Sequence, residues 1–157
     1  MQKDFSEKLD AYVRLERLMS DLYQLFSVSF PEDRELWTEL VREEENHAAM
    51  IRAFAEHMAE HSLDEPFELF DIACSRLEET NEMIKAMIRR CKTSPPVRAE
   101  SFRMAIEIES NAGEMHYQTF LEKKPQGKLE RLFSELNGED RDHVARIESW
   151  MSSVPGS

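Results

Sequence analysis

Arg42-Glu43-Glu44-Glu45-Asn46-His47 is a charged run in the middle of a segment whose apolar residues recur at helical spacing. Glu44 and His47 stand three residues apart, about 60° from one another on a helix, so they occupy neighbouring rows of one face. The rest of that face is apolar. Trp37, Leu40, Ala48, Ile51, Phe54 and Met58 follow the i, i+3, i+4, i+7 pattern of a stripe turned toward a core. A carboxylate and an imidazole are therefore pointed inward, and other parts of the chain must hold what receives them.

Upstream, a helix is expected over about 4–28, stopped by Phe30-Pro31, with Phe5, Leu9, Tyr12, Val13, Glu16, Met19, Tyr23 and Phe26 on its stripe. Glu16 interrupts this apolar face near its middle. The helix that holds Glu44 and His47 should run over about 32–61, because Pro31, Glu32 and Asp33 suit the unpaired amides and the dipole of a helix start. Downstream, Ser62-Leu63-Asp64-Glu65-Pro66 marks a break. A third helix, about 66–92, carries Phe70, Ala73, Leu77, Ile84, Met87, Ile88 and Cys91 inward, with no acid or histidine among them.

Thr93-Ser94-Pro95-Pro96 separates it from a fourth helix, about 96–122, with Ser94 as a candidate N-cap. That helix turns Phe102, Ala105, Ile106, Glu109, Ala112, Gly113, His116 and Phe120 to one side, with Glu109 in the centre. A fifth helix, about 128–151, follows Lys123-Lys124-Pro125-Gln126-Gly127 and carries Leu129, Leu132, Phe133, Leu136, Asp140, His143, Val144, Ile147 and Trp150. Asp140 and His143 repeat the spacing of Glu44 and His47, with Glu139 an alternative partner for His143 at i−4. The pattern thus has two halves, each a helix with one inward Glu followed by a helix with an inward acid-x-x-His pair. The third helix lies between them.

The totals agree with an all-α chain. Four Gly and six Pro in 157 residues favour long helices over a sheet, and the length suits one domain. No run of about 18 apolar residues and no basic-then-apolar amino terminus is present, so a soluble, cytoplasmic protein is expected. The formal charge of -12 argues against nucleic acid or an anionic membrane surface as partner. Cys74 and Cys91, about 25 Å apart along one expected helix, cannot bridge within the chain and read as reduced, buried thiols.

Burying Glu16, Glu44, Glu109 and Asp140 ionised would cost several kcal/mol each, against a net domain stability of only about 5–15 kcal/mol. The stripes hold no Arg or Lys to pair them. Two divalent metals would balance the four carboxylates, with His47 and His143 as neutral donors. Oxygen and nitrogen donors without thiolate suit iron or manganese better than structural zinc. Elsewhere, His116 reads as a core histidine, and His57 and His61 as part of a solvated helix end. The methionines are core filler.

This arrangement resembles the ferritin-like di-iron superfamily, in which two bundle helices give one Glu each and the other two give Glu-x-x-His. Within it, the rubrerythrin-like group is most similar: Tyr23 follows Glu16 by seven residues, Tyr117 follows Glu109 by eight, and Glu44-Glu45-Asn46-His47-Ala48 resembles that group's Glu-x-x-His-Ala segment. The resemblance covers roughly 4–61 and 96–151.

It implies a ferritin-like four-helix bundle with an additional helix in the crossover between the second and third bundle helices. It implies two iron ions, or manganese or a mixed pair, held by Glu16, Glu44, His47, Glu109, Asp140 and His143. Tyr23 and Tyr117 would be hydrogen-bond donors or radical sinks beside them. The implied activity is reduction of peroxide or dioxygen, or oxidation of Fe(II), in a homodimer.

The sequence departs from the family in three ways. Asp140 stands where it carries Glu, Ala112 stands where rubrerythrins carry an additional Glu, and no Cys-x-x-Cys pair is present for a rubredoxin domain. Electrons would then come from an external donor protein or from substrate iron. The competing expectation is a ferritin-like scaffold without redox turnover, acting in iron binding, sensing or partner docking.

Overall fold

The structure, a computed structural model, describes residues 2–61, 73–118 and 127–153, and the side chains of 6–60, 76–112, 127–128, 131–132 and 134–153. The expected helical parts at 66–72 and 119–122 lie outside the described residues, as do the side chains of Cys74, His116 and Tyr117. The described chain forms five α-helices: α1 (Gln2–Ser29), α2 (Arg34–His61), α3 (Ala73–Thr93), α4 (Arg98–Gln118) and α5 (Lys128–Ser153). No strand occurs among the described residues, and no helix among them is long and apolar enough to cross a membrane.

The chain reverses between α1 and α2 in a single short 3-10 turn, Pro31–Asp33. Phe30 N donates to Phe26 O at 2.9 Å and Asp33 N to Phe30 O at 3.0 Å, so the turn keeps its amides paired while proline opens the next helix. The two helices pack along their lengths, as do α4 and α5, and α3 covers the outer side of α1. Cross-helix contacts set the directions. Ala11 and Arg14 of α1 meet Asn81 and Glu78 of α3, and Glu39, Glu43 and His47 of α2 meet Arg146, His143 and Glu139 of α5, so both pairs run antiparallel.

Among the described residues each expected stripe is the buried one; Phe5, Phe70, Ala73, Phe120, Leu129 and Phe133 have side chains outside them. Leu9, Tyr12, Met19, Tyr23 and Phe26 of α1 join Trp37, Leu40 and Ile51 of α2, Leu77 and Ile84 of α3, Phe102, Ala105 and Ile108 of α4, and Leu136 and Ile147 of α5 in one core. An aromatic cluster closes one end: Trp37 lies 5.7 Å from Tyr23, 5.1 Å from Phe26 and 5.3 Å from Phe102, centroid to centroid. Such pairs contribute roughly 0.5–1.5 kcal/mol each beyond their buried area.

At that same end sits a buried carboxylate. Asp33, fully enclosed, takes both arms of the Arg98 guanidinium and the Trp150 indole N–H at 2.8 Å. One side chain thereby fixes the start of α2 to the start of α4 and the end of α5. Its bidentate partner stacks in turn over Phe102 at 5.2 Å.

Candidate metal centre

All six expected ligands lie in the core, at 1 % exposure or less. Helical periodicity brings this about: each acid or histidine occupies a stripe position, and the four stripes converge. Their donor atoms fall into two groups, each with all members within 4.8 Å of one another. One is Glu16, Glu44 and His47; the other is Glu44, Glu109 and His143. Glu44 belongs to both. Asp140 is buried beside them but in neither group, as its side chain, one methylene shorter than Glu, would favour.

The two imidazoles lie face to face, with centroids 5.5 Å apart and planes 14° from parallel. Each turns Nδ1 inward. His47 Nδ1 is 3.0 Å from Glu44 Oε2 and 3.5 Å from Glu16 Oε2; His143 Nδ1 is 3.0 Å from Glu44 Oε1 and 3.2 Å from Glu109 Oε1. Each turns Nε2 outward to a carboxylate of the opposite helix. His47 of α2 donates to Glu139 of α5, and His143 of α5 donates to Glu43 of α2 at 2.7 Å.

Glu43 and Glu139 are therefore part of the site. Glu139 serves not its own-helix neighbour His143 but His47 across the bundle. The signal was present in the sequence: Glu43 precedes Glu44 as Glu139 precedes Asp140.

The charges are strongly coupled. Burial works against a charge on either ring, but the carboxylates outweigh it, with Glu16 and Glu44 holding His47 up to about 12, and Glu109 and Glu44 holding His143 up to about 11. In the metal-free protein this favours the imidazolium form of both rings at neutral pH. Glu44 itself is pushed well above the usual carboxylate value, by burial first and by the charge of Glu109 next. Tyr23 donates to Glu109 Oε1 at 2.6 Å, and burial with the nearby charges of Glu109, Glu44 and Asp140 keeps its hydroxyl protonated. Tyr23 thus stands where a donor beside the site was expected.

Do these residues fit a pair of metal ions? Glu109 Oε2 is buried and has no hydrogen-bond donor among the described residues, which is costly unless something else fills its lone pairs. Four inner carboxylates exceed two imidazolium charges, so two divalent cations replacing two protons would leave the centre closer to neutral. The donor set, oxygen with one imidazole nitrogen in each group, suits iron or manganese. The outer carboxylates that fix both rings are the usual support of a histidine ligand. The fit holds in donor type, charge and support.

Models of protein families, curated proteins and solved structures were compared with the chain, and none of them matches it.

Proposed function

We propose that this chain is a ferritin-like di-metal protein of the rubrerythrin-like type, with two iron ions, or manganese or a mixed pair, between α1, α2, α4 and α5. The observation that carries the reading is the membership of Glu44 in both groups of donors. A carboxylate shared by two groups, each completed by another glutamate and a histidine, is an arrangement that one ion does not need and two ions do. The bound metals would supply electrons and an open coordination position for reducing peroxide or dioxygen, or for oxidising Fe(II).

The chain's own residues hold and orient. Glu16, Glu109, His47 and His143 would hold the ions together with Glu44, which belongs to both groups of donors. Glu43 and Glu139 each keep an Nε2 proton on the ring they face, which leaves Nδ1 as the donor atom inside. Tyr23 O–H fixes one oxygen of Glu109 and stays protonated throughout the neutral range. The aromatic cluster of Trp37, Phe26 and Phe102 excludes water from the Tyr23 side. Electrons would come from an external donor protein or from Fe(II) itself. The cytoplasm, where Fe(II) and reduced thiols persist, is the compartment that suits this chemistry.

Protein purified without oxygen and reconstituted with Fe(II) should hold about two iron ions per chain by elemental analysis, and Glu44→Ala should hold fewer than one. Absence of iron after reconstitution would sink the proposal. The scaffold reading gains support from Asp140, which joins neither donor group. Peroxide separates the two: bound iron that stays Fe(II) after peroxide is added favours a scaffold, and oxidation with one peroxide consumed per two iron ions favours the enzyme.

A further inference from the structure

The two halves of the cage match in ligand type but not in what stands behind them. Glu43 Oε2 is shared. It accepts from His143 Nε2 at 2.7 Å and from Arg146 Nη1 at 2.7 Å, and the same guanidinium also reaches Glu39 at 3.0 Å and Asp142 at 3.5 Å. Glu139, the counterpart behind His47, meets no Lys or Arg among the described residues. The Arg146 guanidinium therefore draws electron density from the carboxylate that supports His143.

A carboxylate on the far nitrogen makes an imidazole a better metal donor, and removing such support typically lowers affinity 10–100-fold. A guanidinium on the same carboxylate oxygen removes part of that support, and it also adds a positive charge behind the ligand. Glu39 and Asp142, 48 % and 64 % exposed, moderate that charge from the solvent side.

We propose that the two positions bind unequally and that Arg146 sets the difference. The Glu16/Glu44/His47 position is the tighter one. The Glu44/Glu109/His143 position is roughly 10–100-fold weaker and exchanges its ion with free Fe(II). This rests on the two-ion reading of the cage and deepens it. At limiting metal the chain carries one resident ion, and the second position fills only when Fe(II) is abundant, which makes that Fe(II) the exchangeable substrate. Arg146 touches no metal ligand directly. It is a positioning residue acting through Glu43.

Equilibrium dialysis against Co(II), without oxygen, tests this without turnover. Two binding steps separated by about 10–100-fold are expected. Arg146→Met should tighten the weaker step by about tenfold and leave the tighter one in place, while Arg146→Lys should restore the separation. The surface variant Glu39→Gln, which leaves Arg146 less neutralised, should widen the gap, an effect of opposite sign that a general loss of structure would not give. His143→Ala should delete the weak step alone. Two equal steps in the native chain, or Arg146→Met moving both steps together, would overturn the inference while leaving a two-ion cage intact. No bound Co(II) at all would overturn the cage itself.

Discussion

Replacing Glu44 by leucine should make the metal-free protein more stable while destroying the site. Glu44 is fully buried and held well above its ordinary pKa, so its charge opposes folding. Its removal does not strand either imidazole. His47 keeps Glu16 at 3.5 Å on Nδ1 and Glu139 on Nε2; His143 keeps Glu109 at 3.2 Å and Glu43 at 2.7 Å. What disappears is the carboxylate in excess over the two imidazolium charges. Replacing a whole buried ion pair or triad by apolar groups of similar volume is often neutral or stabilising by about 1–4 kcal/mol, and removing only the surplus carboxylate of this cluster should fall in the same range. At about 2–4 °C per kcal/mol for a chain of this size, Tm should rise by roughly 2–16 °C in chelator-treated protein. Excess Fe(II) or Mn(II) should raise the native Tm further and leave that of Glu44→Leu unchanged. Calorimetry with and without metal reads both. A metal-free Glu44→Leu protein destabilised by about 3 kcal/mol or more would refute the reasoning, since that is the cost of breaking a buried ion pair that the fold relies on.

Other consequences are open to measurement. His47, His143 and Glu44 all have folded pKa values above their ordinary ones, so their contributions are fully present below the unfolded values, and those of the two histidines are lost as pH rises toward about 11–12. The Tm of metal-free protein should therefore climb as pH is lowered from about 9 to about 6.5, while metal affinity falls over the same interval because protons compete for the same nitrogens; a parallel rise of both would contradict this. Glu139→Gln keeps an acceptor for His47 but removes its charge, and should weaken the tighter metal step by about tenfold, up to 100-fold, in competition with a calibrated chelator. Asp33→Asn leaves Arg98 facing a neutral partner at a fully buried point and should cost about 3–5 kcal/mol in urea unfolding, yet metal stoichiometry at native temperature should not change.

The stripes were legible because helical periodicity is local. Glu16, Glu44, His47, Glu109, Asp140 and His143 each interrupt an apolar row, and a residue in such a row goes where the row goes. Partnerships between rows were not legible. Periodicity gives the face of a helix but not its axial register against another, so the reach of Glu139 to His47 and of Glu43 to His143 is hidden in the sequence, where spacing offers Glu139 only its same-helix neighbour His143. Asp33 escaped for a related reason. An acid in a helix's first turn is already explained by the dipole, and its real partners, Arg98 and Trp150, lie 65 and 117 residues away. Asp140 was expected as a ligand from its place in the repeat. Its burial follows from that place, but its distance from the donor groups depends on side-chain length, which a stripe does not weigh.

The crosswise bonding of the histidines also constrains how this chain can vary. Glu43 serves His143 from 100 residues away, and Glu139 serves His47 from 92 away. Neither half of the chain therefore owns its own histidine's environment. Loss of an outer acid in α5 is registered at a ring in α2, and a compensating change must arise in the other half of the sequence. Among relatives of this chain, positions 43 and 143 should change together, and 139 with 47, while residues adjacent along the chain drift apart. The two helical pairs carry similar patterns, but neither could be copied, swapped or shortened alone without unsettling the imidazole that belongs to the other.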